Sequence, residues 1–132
     1  MSSNDSSLHR IIVGISGASG IIYGIEALKA LRDLNVETHL VVSKSAMVTL
    51  SQESTLKIGE LTELADKYYS NADIGACIAS GSFQTMGMLV APCSIKTLSE
   101  IATGVTSSLL SRSADVVLKE RRKLVLMVRE TP

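Results

Sequence analysis

The stretch RIIVGIS-GASG-IIYGIEALKALRD, residues 10–33, decides the fold class. Residues 10–16 form a short, nearly continuous apolar run, the pattern of a strand buried on both faces of a parallel sheet. Residues 17–20 are a glycine turn. Residues 21–33 then show helical spacing, with Ile25, Leu28 and Leu31 on one stripe and Glu26, Lys29 and Arg32 away from it. A strand that passes through a tight turn into an amphipathic helix opens a βαβ unit.

The alternation continues outward from there. Residues 36–43 read as a second strand, and residues 44–53 and 58–68 as helices. Residues 71–82 are rich in small side chains and show no clear period. Residues 88–92 are a third strand, residues 94–102 a helix capped by Ser94, residues 106–121 a longer helix, and residues 123–128 a last strand. The expectation is an α/β fold: a three-layer Rossmann-like (flavodoxin-like) parallel sheet with helices on both faces and right-handed crossovers. No repeat or linker divides the chain. It reads as a disordered tail over residues 1–9 and one flavoprotein-sized domain over residues 10–132. The last strand is followed only by Arg129-Glu130-Thr131-Pro132, so the domain reads as truncated at its C-terminus, or as covered there by a partner.

Composition narrows the function. The 132 residues suit one domain. With 45% hydrophobic residues, no Trp and one Phe, the core must be aliphatic, and the five methionines read as filler. Thirteen basic residues balance thirteen acidic ones, which gives no electrostatic reason to expect nucleic acid or an anionic membrane surface. No apolar run approaches a membrane span, and the first seven residues lack the order of a signal peptide, so a cytoplasmic protein is expected. Cys77 and Cys93 show neither metal nor disulfide spacing and read as two buried free thiols. No metal is expected.

In open α/β sheets ligands bind beyond the carboxyl ends of the strands. Those ends here carry Ser16-Gly17-Ala18-Ser19-Gly20, Ser43-Lys44, Cys93-Ser94-Ile95-Lys96-Thr97 and Arg129-Glu130. Hydroxyls, helix-start N–H groups and cations are what hold a phosphate. The glycine loop fits a phosphate cradle, and it equally fits a tight turn without ligand. The spacing of Gly14, Gly17 and Gly20 is not that of a dinucleotide fingerprint, and no Walker loop exists, so a mononucleotide held by one phosphate is favoured. Arg112, Asp115 and Lys119 share a helix face. Taken alone that face reads as solvated charge, and a second phosphate site is the alternative. Glu53 and Glu130 are candidate proton-transfer groups, whereas His39 reads as structural.

IIVGISGASGIIYG (11–24), ETHLVVSK (37–44), SGSFQTMGMLVAPCSIKTLSEIATG (80–104) and RSADVVLKERRKLVLMVRETP (112–132) together resemble the UbiX-type flavin prenyltransferases, once described as 3-octaprenyl-4-hydroxybenzoate carboxy-lyases. The resemblance covers almost the whole chain after residue 9. It implies a metal-independent transferase that joins a dimethylallyl group from dimethylallyl phosphate to N5 and C6 of reduced FMN. The prenylated FMN then serves a UbiD-type decarboxylase, in ubiquinone biosynthesis or aromatic acid decarboxylation, and the enzyme is a homododecamer. By matching position it implies FMN contacts at Gly17, Ala18, Ser19, Ser43, Ser94, Ile95, Lys96, Thr97 and Arg129. It implies catalytic roles for Ser19, Glu53 and Glu130, and a donor-phosphate site of Arg112, Lys119 and Arg129, partly across a subunit boundary. The family's C-terminal part, with a Tyr and a basic residue on the prenyl phosphate, has no counterpart here, and residues 53–55 read Glu-Ser-Thr where Glu-Thr-Asp is frequent. Two alternatives remain. One is a flavin-dependent decarboxylase of the same fold, disfavoured because no Asn follows Pro92. The other is a non-catalytic FMN-binding subunit.

Overall fold

The computed structural model describes residues 9–130, so the expected tail falls almost wholly outside the described residues. Five strands form one sheet: β1 (Arg10–Ile15), β2 (Glu37–Val42), β3 (Lys67–Ser70), β4 (Gly87–Cys93) and β5 (Lys123–Val128). Their order is β3-β2-β1-β4-β5 and each neighbouring pair is parallel. The helices are α1 (Ile21–Asp33), α2 (Lys44–Glu53), α3 (Ile58–Glu63), α4 (Ile95–Thr103) and α5 (Leu109–Lys119). This is the doubly wound arrangement. The chain moves from β1 outward through β2 to β3, then returns to the other side of β1 for β4 and β5, so the winding reverses between β1 and β4.

Strand alternation divides the core in two. On one face Val13, Ile15, Leu40 and Val42 meet Ile21, Ile25 and Leu28 of α1 and Ala46 and Leu50 of α2. On the other, Ile12, Val41, Met88 and Val90 meet Leu109, Leu110, Ala114 and Val117 of α5. Gly14 lies on this second face. A Cβ there would come within 3.2 Å of both Leu110 and Met88, so the missing side chain lets α5 settle close to the sheet.

The structure corrects the sequence reading at three places. The helix expected over 58–68 stops at Glu63, and the four residues Lys67–Ser70 form a fifth strand. Asp66 anchors that strand: its carboxylate accepts from the Thr38 N–H at 2.8 Å, and its own N–H donates to Thr38 Oγ1 at 3.1 Å. The long helix expected over 106–121 spans only Leu109–Lys119. Ser108 caps its start by accepting from Ser111 N–H, and Arg121 beyond its end takes a left-handed φ of 56°. Cys77, expected to be buried, is exposed in a short 3₁₀ turn on the surface loop after β3, whereas Cys93 is buried and its thiol pKa is pushed up to about 11 by that burial.

β5 is the sheet edge. Leu124 and Leu126 pack against the α5 side, while Val125 on the opposite face is 51% exposed. With Ile11, Met86 and Leu89 it lines an apolar groove of about 270 Å³.

Gly87 begins β4 with φ +144°, and a Cβ there would lie 2.2 Å from the Lys123 carbonyl oxygen of β5. Gly87→Ala is therefore expected to lower folding stability by about 1–3 kcal/mol through backbone strain at the β4–β5 seam. Urea unfolding with an unchanged m-value checks this.

Candidate functional site

The carboxyl ends of β1 and β4 converge where the winding reverses, and Ser16 joins them. Its hydroxyl donates to the Pro92 carbonyl at 3.0 Å and accepts the Ser94 N–H at 2.7 Å, while its own N–H donates to the same Pro92 oxygen at 3.1 Å. Ser16 is 1% exposed, so these bonds replace water. Ser94 in turn caps α4, its Oγ accepting from Thr97 N–H at 3.1 Å.

Beside this junction lies a cavity of about 310 Å³ at which three helices begin. Ser43, Lys44 and Ser45 bring the start of α2, Ser94, Lys96 and Thr97 that of α4, and Ser107, Ser108 and Leu110 that of α5. Each helix start carries partial positive charge, but the first three N–H groups of α5 are already taken by Asn71 and Ser108, so open backbone donors come from the starts of α2 and α4. The three starts with five serine hydroxyls and two lysines make a strong anion site, and the volume lies in the range of small-molecule pockets. Glu100 supplies the one carboxylate of the lining. Four of the expected flavin contacts gather here: Ser43, Ser94, Lys96 and Thr97. Ile95, beside them at the start of α4, is half exposed.

Asn71, Ser45, Ser107 and Ser108 also line the cavity and are absent from the sequence reading. Asn71 directly follows the unrecognised strand β3. Its carbonyl accepts from Leu109 N–H at 3.0 Å and its side-chain oxygen from Leu110 N–H at 2.9 Å, which seats α5. Recognising KYYS as a strand would have put Asn71 on the carboxyl edge.

The glycine loop differs from the expected phosphate cradle. Ala18 N–H donates to Ser16 O, Ser19 N–H to Glu130 O at 2.9 Å, and Gly20 and Ile21 N–H to Glu53 Oε1 at 3.0 and 3.3 Å. The anion at the start of α1 is the protein's own Glu53, reached across 33 residues of sequence. Those N–H bonds, that of Gly20 first, hold the Glu53 carboxyl below its ordinary range against the opposing effect of burial, with the Ser19 hydroxyl and Arg129 helping. Glu53 is thus held as a carboxylate at the start of α1. Gly17 still belongs to the site's frame: a Cβ there would lie 2.4 Å from Ser45 Oγ.

Ser19, Glu53, Arg129 and Glu130 therefore form one cluster next to the cavity. Arg129 N–H donates to Cys93 O at 3.0 Å, which aligns the end of β5 with the end of β4. The guanidinium of Arg129 lies 5.1 Å from the centre of the Tyr23 ring. The other two expected phosphate ligands stand apart. Arg112 is in the first turn of α5, with its Nε buried and without a hydrogen-bond acceptor. Lys119 is seven residues further along, roughly 10 Å at helical rise, and pairs with Asp115 at 2.8 Å. It lies toward the amino edge, where β5 begins. A single chain does not bring Arg112, Lys119 and Arg129 to one point. His39 lies on that amino side too, its ring nitrogens 2.9 Å from Tyr69 Oη and 2.6 Å from Glu37 Oε1.

The sequence profile of the Flavoprotein family matches residues 1–132. The flavin prenyltransferase UbiX of Escherichia coli strain K12 is 59% identical over 126 residues, 95% of this chain and 67% of its own length. The chain belongs to the UbiX group of flavoproteins. It spans about two thirds of the length of the curated UbiX relatives it matches. A crystal structure of the UbiX protein PadA1 with FMN and dimethylallyl pyrophosphate superposes with a TM-score of 0.92 at 50% identity, over 95% of this chain and 66% of that one. A dodecameric FMN-dependent UbiX-like decarboxylase from Escherichia coli O157:H7 gives 0.90 at 51% identity, over 93% of this chain and 68% of that one. No helix among the described residues is long and apolar enough to cross a membrane.

Two outcomes follow from the UbiX site. Ser16→Ala leaves the buried Ser94 N–H without its acceptor and should cost about 1–3 kcal/mol in denaturant unfolding. Glu53 has a depressed folded pKa, so its contribution is present above the ordinary carboxylate pKa and lost as pH falls through the folded value. Glu53→Gln should be less stable than wild type by about 0.3–1 kcal/mol at pH 7, with the gap closing in acid below about pH 4. Melting temperatures of both proteins across that pH range measure it.

Proposed function

We propose that this chain carries the flavin-binding part of a prenyltransferase that joins a dimethylallyl group from dimethylallyl phosphate to reduced FMN. One observation carries the reading. The Ser19–Glu53–Arg129–Glu130 cluster adjoins a cavity walled by three helix starts, in a chain 59% identical to a flavin prenyltransferase.

The cavity's donors suit the FMN phosphate: Ser43, Ser94, Lys96 and Thr97 with Ser45 and Ser108, around the starts of α2, α4 and α5. Gly17, Ala18, Ser19, Ile95 and Arg129 are assigned to the rest of the cofactor. Reduced flavin, when bound, supplies the electron-rich ring that accepts the prenyl carbon. The chain's own residues supply the rest. Arg129 meets the negative charge that develops on the departing phosphate. Glu53 draws on the Ser19 hydroxyl, and Ser19 is assigned to the reacting edge of the flavin. Glu130, exposed and anchored through its own carbonyl to Ser19 N–H, is assigned as the proton acceptor when the ring closes.

Arg112 and Lys119 are assigned to the donor phosphate of a neighbouring subunit. The length of α5 between Arg112 and Lys119 supports a site shared between chains, as does the dodecameric state of the UbiX-like relative. The product is assigned as the prenylated cofactor of a UbiD-type decarboxylase, in the cytoplasm, which suits two unpaired thiols.

Protein given reduced FMN and dimethylallyl phosphate should release a flavin heavier by one prenyl unit, read by mass spectrometry. Unmodified FMN alone, from a chain carried to the relatives' full length, would sink the reading. Arg129→Ala and Lys119→Ala should each lose donor affinity, and Lys119→Ala should keep FMN. Mixed as co-assembled chains they should recover part of the wild-type rate, because some sites then hold both native residues.

A further inference from the structure

We infer that Tyr23 is a positioning residue for Arg129: its ring fixes the guanidinium at the donor-phosphate site without neutralising it. The inference rests on the prenyl-transfer reading. Tyr23 sits in the first turn of α1, its N–H donating to Gly20 O at 2.9 Å, and it remains 43% exposed. The Arg129 Cζ lies 5.1 Å from the centre of its ring, within cation–π range. Gly20 makes room for both groups. A Cβ at Gly20 would fall 2.8 Å from Tyr23 Cδ2 and 3.4 Å from Arg129 Nε, so ring and guanidinium together fill the space a side chain would take.

What Arg129 lacks matters as much. Among the described residues it has no carboxylate within 4 Å and donates no side-chain hydrogen bond. A long arginine at the end of an edge strand, with no such partner, would sample many rotamers and lose entropy on meeting an anion. A carboxylate partner would fix it but would compete with phosphate, as Asp115 does for Lys119. An aromatic face avoids both difficulties. It attracts the cation through its quadrupole and leaves the N–H donors, which lie in the guanidinium plane, free to fork onto phosphate oxygens.

The test uses the chain loaded with oxidised FMN, so that donor binds without transfer, and follows dimethylallyl phosphate by calorimetry. Tyr23→Leu should weaken donor binding about two- to five-fold, the range of an exposed cation–π contact. FMN affinity and melting temperature should be unchanged. Tyr23→Phe, which keeps the ring and loses only the hydroxyl, should bind donor as wild type does. With reduced FMN the Leu variant should raise KM by a similar factor at near-normal kcat, the pattern of lost uniform binding. Wild-type donor affinity in Tyr23→Leu overturns the inference alone, as does a Phe variant as weak as the Leu variant. A wild-type protein that binds FMN but no donor overturns the functional reading and this inference with it.

Discussion

The hydroxyl of Ser16 joins the carboxyl ends of β1 and β4 at the reversal of the sheet's winding, and the site is arranged around that junction. In a doubly wound sheet the two loops leaving these strands diverge to opposite faces, so a crevice opens between them without further design. What is not automatic is its width. Ser16 sets it by satisfying one carbonyl and one N–H of the facing chain from a single buried oxygen. Ser94, held in this way, starts α4, and α4 forms one wall of the cavity. On the other side Asn71 performs the equivalent task for α5. The helix starts converge because each is tied to a strand end by a short polar side chain.

Adjacent helix starts meet opposite fates. Those of α2, α4 and α5 border an open cavity, whereas α1 is closed by Glu53. The difference divides the crevice electrostatically. An entering anion is drawn to the open starts of α2 and α4 and kept from that of α1 by a resident carboxylate. That carboxylate also draws on Ser19 and Arg129, so the negative charge that seals α1 organises the neighbouring polar groups. Gly20 is needed at this point because its φ of 103° turns the N–H toward Glu53, a conformation that costs other residues free energy.

Much of this was legible in the sequence, for reasons that differ between residues. α1, α2 and α4 carry amphipathic periods or serine caps, and Ser43, Ser94, Lys96 and Thr97 follow directly from reading strand ends. β3 escaped because KYYS continues a helix-like stretch without a glycine or proline to break it, and Asn71 escaped with it. Ser107 and Ser108 were hidden inside a helix taken to begin too early. The Glu53–Gly20 contact bridges 33 residues and leaves no local pattern in the sequence. Asp115 and Lys119 share a helix face as their spacing implies, but spacing along a helix does not say which end meets a site.

β5 pairs on one side only, with a register shift near its end between Val90 and Cys93, and it carries Arg129 and Glu130 directly after its last residue. Edge strands open more readily than central ones, and they open as units. Fraying of this strand would withdraw the cation, the candidate base and the acceptor for Ser19 N–H in one event, while the anion cavity around α2, α4 and α5 stays intact. On the proposed reading, phosphate binding and proton transfer reside in parts of the sheet with different local stabilities, and amide exchange should resolve them as separate cooperative layers.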